Sequence, residues 1–329
     1  MSLFSAVSEL LKPAPPLSPA VEKALLRVSE LVNPQLKSAS GFEKKLAGPL
    51  EYALGYCDGL ISAVPGPIDI NRQAFSNDPL IHALFATAND IDQMLGRSEA
   101  VRDYLAEPAC WESEHFYALF AARHQQKRQL GMSVQGTIVQ TDVPQTVIYF
   151  SDHTLIQPTH SLETTLQNLR TSSLDSLLKT FHDHVEALRA EREGLRADLS
   201  VERAHLTVYR GKTAGHEQAV HTRHFEELDQ RLRQSAESLM PDQLLDALAE
   251  FLHAPEKSLA LTPVTITVDR LGIVSDNGSQ DANVHRLDFP ELSARDKRHY
   301  LVILARISRD EALEAIETVR DQQQRFMLI

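Results

Sequence analysis

Apolar residues in the first third of the chain fall at multiples of the helical turn. Val21, Leu25, Val28 and Val32, then Leu46, Leu50, Leu54 and Leu60, then Leu80, Leu84, Ile91 and Leu95 keep that spacing. Ser18 before Pro19, and Asn77 or Asp78 before Pro79, have the character of a cap followed by a first-turn proline. Ahead of them Phe4, Val7, Leu10 and Leu11 form a short helical pattern that Pro13, Pro15 and Pro16 stop. The pattern predicts an amphipathic helix and Pro-rich linker over 1–17 and a helical domain over 18–130. Within that domain the loop VPGPIDINRQ is the most irregular stretch, a place where binding residues often gather.

Near Met132 the period changes to two. Thr137, Val139 and Thr141, then Val147, Tyr149 and Ser151, read as two strands with a turn at ValProGln between them. Val264, Ile266 and Val268 repeat the alternation, and AspAsnGly at 276–278 signals a tight turn. These segments predict a small antiparallel β-rich domain over 131–158 plus 258–329.

Between them lies a long helical insert, 159–257. Leu188, Leu195, Leu199 and Leu206 define an apolar seam on its first arm, on which Arg192 and Glu202 intrude. After a break at VYRGKTAG, Phe225, Leu228, Leu232 and Leu239 continue the pattern, which predicts an antiparallel helical hairpin. Pro241 opens another helix, through Leu244, Leu248 and Leu252. The segment 299–307 suits a buried helix or a strand, and its β-branched density favours strand. Ser308 with Glu311 makes a capping box for a C-terminal helix. The expected fold class is α+β, predominantly helical, with the hairpin interrupting the β region.

Composition narrows the partners. A net charge of -12 and a pI near 5.6 oppose phosphate contacts, so nucleic acid is a poor partner. No run of apolar residues is long enough to span a membrane, the N-terminus lacks a basic start and a cleavage site, and Cys57 and Cys110 fit a reducing compartment. A cytoplasmic location is the expectation.

Candidate chemistry is thin. With 13 glycines there is no GxxxxGK[ST] or GxGxxG, and ArgGlyLysThr at 210–213 lacks the upstream glycine of a phosphate loop. SerLeuLeuLys at 176–179 matches SxxK by letters alone. Ser151, Asp152 and His153 are adjacent and need the fold to bring them partners. His82 with Asp90 and Asp92, and Glu112, Glu114, His115 and His124, suit wet helix faces. The 14 histidines stand out; His216, His221 and His224 on the second arm are candidate ligands for a divalent metal, with His182 and His184 on the first arm. No cofactor is otherwise indicated.

The favoured reading is a non-enzymatic interaction or scaffold protein, its hairpin contacting another protein or a second copy in a homodimer. Tyr209, Arg210 and Lys212 at the tip would make the contact, with Phe4 and Leu11 a second one. The alternative is a metal-dependent enzyme or metal-binding module built from histidines and carboxylates.

Overall fold

The computed structural model describes residues 17–135, 138–209, 216–274, 284–294 and 298–327. Phe4, Leu11, Arg210, Lys212 and the turn at 276–278 therefore lie outside the described residues. The chain is a mixed α+β protein with helix in the majority. It divides into two compact units, one of residues up to Gly55 with Leu174–Ala254, the other Tyr56–Ser173 with Pro255–Ile329. This division cuts across the expected helical domain over 18–130.

In the first unit, helix α1 (Pro19–Leu31) starts where expected: the Ser18 hydroxyl accepts from the Val21 amide at 3.3 Å. Helix α2 is Phe42–Ser62. Val21, Leu25 and Val28 of α1 pack with Leu46 and Leu50 of α2 in one core. Later in the chain come α7 (Leu162–Tyr209), α8 (His216–Ser238) and α9 (Pro241–Leu252). Leu174, Leu178, Phe181 and Val185 of α7 and Leu244, Leu245, Leu248 and Leu252 of α9 complete that core. His182, a candidate ligand in the sequence, instead hydrogen-bonds the Val32 carbonyl through Nδ1 at 3.0 Å, satisfying a group left open at the end of α1.

The second unit is built on a sheet. Its strands are β1 (Ile68–Asp69), β2 (His115–Gln135), β3 (Ile138–Thr159), β4 (Ala260–Asp269), β5 (Val284–Ser293) and β6 (His299–Ser308). The antiparallel order is β3-β2-β6-β5-β4, and β1 joins β6 in parallel. Segment 299–307 is thus the strand that its β-branched density favours. The sheet is larger than the small region expected, because β2 begins at His115 rather than near 132. Phe116, Ala118, Phe120 and Ala122 point into one core, while Leu119 and Ala121 point into another on the opposite face. A strand buried on both faces reads as a continuous apolar run and loses its period of two.

The expected turn at ValProGln is also strand. Val143, Pro144 and Gln145 pair with Gly131, Leu130 and Gln129. Proline is tolerated there because β3 is an edge strand, and the neighbouring irregularity is absorbed at Asp142, whose φ is 63°. The segment after β4 bridges the two edges: Val274 donates its amide to Thr146 and Gly272 accepts from Ile148, both at 2.8 Å, and Val268 pairs with Val274. Gly272 has φ 76°, and a Cβ there would lie 2.6 Å from the Ile148 carbonyl oxygen, so the bridge needs glycine.

Helices cover one face of the sheet: α3 (Arg72–Asn77), α4 (Pro79–Leu84), α5 (Ala88–Arg97), α6 (Glu99–Ala106) and α10 (Arg309–Met327). Ile81, Leu84, Ile91, Leu95, Val101, Leu105, Ala312 and Ala315 carry the contact. The other face meets Ile61 of α2 and Leu162, Leu166 and Leu169 of α7. Ser308 Oγ accepts from the Glu311 amide at 3.4 Å, one half of the expected capping box. The Glu311 carboxyl lies instead beside Asp92 and Arg72, and burial with the Asp92 charge raises its pKa.

Candidate functional site

Most candidate residues have structural work. The irregular loop after α2 runs along β6 as β1, Asn71 caps α3 by accepting from the Ala74 amide at 2.7 Å, and Arg306 binds Asp69 with two hydrogen bonds of 2.5 and 2.7 Å. That pairing holds the Asp69 carboxyl below the usual carboxylate range. Asp90 caps α5 at Thr87, Asp92 pairs with Arg72, and His82 lies tilted against Phe75 while its Nδ1 faces the Phe75 carbonyl. These three do not form a shared site. Burial drives the Cys57 thiol up to about 12, so it is a packing residue rather than a nucleophile. Ser176 and Lys179 are both exposed on α7.

Ser151, Asp152 and His153 sit at an irregular part of β3, where Asp152 has φ 55°. His153 turns inward, stacks on Phe85 at 4.7 Å and donates from Nε2 to the Leu84 carbonyl at 2.7 Å. Ser151 Oγ accepts from Gln125 at 2.6 Å. The three therefore make no triad among themselves. Burial pushes the His153 pKa down, outweighing the help of the Leu84 carbonyl. The unfolded chain takes up a proton near its ordinary value of about 6.5 and the folded chain does so only at lower pH. The stability held by neutral His153 is thus complete above that value and is lost as pH falls toward the folded one. Urea unfolding at about pH 7.5 and about pH 5.5 should show this drop, and His153→Gln should flatten it. An unchanged slope in the variant would refute the assignment.

Two clusters that sequence spacing did not join are brought together by the fold. At one end of the sheet, Glu291 of β5 receives His124 of β2 at 2.7 Å and His299 of β6 at 3.2 Å, each through Nδ1. His124 packs between Phe150 and Phe289, with ring centroids 5.6 and 5.9 Å away. One carboxylate thereby fastens three strands. Beside the same strands a cleft of about 320 Å³ is lined by Phe85, Ile148, Phe150, Val268 and Leu287, with His82 and His285 among its polar groups.

The second cluster joins α7 to α8. Glu191 meets Arg231 at 3.2 Å, Leu195 and Leu199 pack with Phe225, Leu228 and Leu232, and Glu202 Oε1 lies 2.5 Å from His221 Nδ1. Partners ascend α7 as they descend α8. His205 Nδ1 stands 3.7 Å from Glu202 Oε2, and the two imidazole centroids are 5.3 Å apart. Glu202 is buried, His221 half-buried and His205 exposed. Among the described residues, these form the one group of three whose potential ligand atoms all lie within 4.8 Å of one another. Of the candidate metal residues whose side chains are described, His221 joins it. His224 is exposed on α8, and the side chains of His216 and Tyr209 lie outside what is described. Glu202 and His205 were the members missed; their signal is Glu-x-x-His spacing on an apolar seam, which puts both on one helix face.

No protein-family model, curated protein or solved structure matches the chain. No helix among the described residues is long and apolar enough to cross a membrane.

Proposed function

We propose that the protein is an interaction protein in which α7 and α8 form an antiparallel hairpin whose outer face receives the same face of a second copy. The observation that carries this is apolar exposure. Val201, Val208 and Val220 are 56%, 63% and 50% exposed on helices otherwise covered by charge. A second copy is the favoured occupant because the charges along α7 alternate in sign. Arg189 pairs with Glu186, and Glu193 lies between Arg192 and Arg196. Such a surface complements itself about a two-fold axis, whereas a partner of one sign would meet repulsion at every other position. Tyr209, Arg210 and Lys212 extend the contact at the tip, and Phe4 and Leu11 offer a second contact.

Sedimentation of the full chain in EDTA tests this. The expected result is a species of twice the 36.8 kDa chain. Val201→Glu with Val208→Glu, and alanine at Tyr209, Arg210 and Lys212, should each give monomer with unchanged helicity. A monomeric parent, or dimers that survive both variants, would overturn the reading; a different protein held by the same face would replace the occupant.

A further inference from the structure

We propose that Glu202, His205 and His221 form a binding site for one divalent transition metal with the ligand preferences of zinc, clamping α7 to α8. Two imidazoles and a carboxylate are an established donor set for such ions, leaving a fourth position open. Ligand bonds of about 2.0 to 2.1 Å in a tetrahedron set ligand atoms about 3.3 Å apart. Glu202 Oε1 stands 2.5 Å from His221 Nδ1 and Oε2 3.7 Å from His205 Nδ1, and one ligand atom from each of the three residues lies within 4.8 Å of the other two. Reaching that spacing takes side-chain adjustment, and exposed His205 has room to turn.

Burial of Glu202 supports the assignment independently. Its side chain is 8% exposed on a seam where leucine precedes it at 195 and 199. A buried carboxylate costs several kcal/mol unless it is paired and its remaining lone pairs are satisfied. His221 serves one oxygen, and His205 stands 3.7 Å from the other. A cation drawing one oxygen of Glu202 and both imidazoles would offset the buried negative charge. The helices supply the geometry, Glu202 and His205 three residues apart on α7 and His221 across the seam on α8. An ion there ties the register of one helix to the other. The site does not depend on self-association, since its ligands come from one chain.

The test uses the full chain stripped with chelator and dialysed, titrated with Co²⁺ under visible spectroscopy and with Zn²⁺ by calorimetry. The expected result is one equivalent per chain, with intense absorption of tetrahedral type and competition between the two metals. Glu202→Gln, His205→Ala and His221→Ala should each abolish the stoichiometric site, while His224→Ala leaves it unchanged. His205 is exposed, so its variant tests ligation even if a change at buried Glu202 disturbs the helices, which circular dichroism would report. Absence of a one-equivalent site, or binding that persists in the His205 and His221 variants, would overturn the proposal and leave Glu202 and His221 as a register-setting ion pair.

Discussion

Gly66→Ala should destabilise the sheet unit by on the order of 4 kcal/mol, a large share of the roughly 5 to 15 kcal/mol that holds an ordinary domain folded. Gly66 has φ 130°, which residues with a Cβ rarely adopt, and a Cβ built there would lie 2.4 Å from the Leu304 carbonyl oxygen and 2.8 Å from the Leu304 Cβ. Neither neighbour can yield cheaply. Leu304 lies in β6, with its amide bound to the Pro65 carbonyl at 2.8 Å and its side chain in the core. Moving the segment away would break that bond and the parallel pairing of β1 with β6. Urea unfolding with hydrogen exchange resolved along the chain measures the effect. A loss below about 1 kcal/mol would show that the loop adapts, contrary to this account.

Phe120→Ala should cost about 3 to 5 kcal/mol, again in the sheet unit. The side chain is fully buried, and its ring lies 5.8 Å from Phe85 and 5.9 Å from His153. Its removal leaves a cavity between the central strands and α4 that surrounding β-structure closes poorly. Phe120→Leu should recover much of the loss. The urea midpoint of both variants decides it, with equal losses in the two arguing against a cavity as the cause.

The helices were legible because local chemistry determines their ends. Ser18, Asp78 and Pro241 could be read directly, and the structure places helix starts at each. Strand β2 was not, since Phe116 to Ala122 packs on both sides and its true period is hidden. Pro144 suggested a turn because its position at an edge depends on pairing that the sequence does not display. For the candidate site, the intrusion of Glu202 on a leucine seam was visible, but its partner was not. The register between α7 and α8 decides that His221, rather than His224, meets it. Glu291 and His124 lie still farther beyond local reasoning, as they are separated by 167 residues.

The bridge formed by Gly272, Ile273 and Val274 bears on how copies of the protein can associate. Open strand edges invite further strands and, through them, unlimited growth. Here the amide of Ile148 and the carbonyl of Thr146 on β3 are already occupied, as is the amide of Asp269 on β4. A strand arriving from another molecule would have to displace these bonds before making its own. Assembly by strand addition is therefore disfavoured at that position, a property that depends on one glycine.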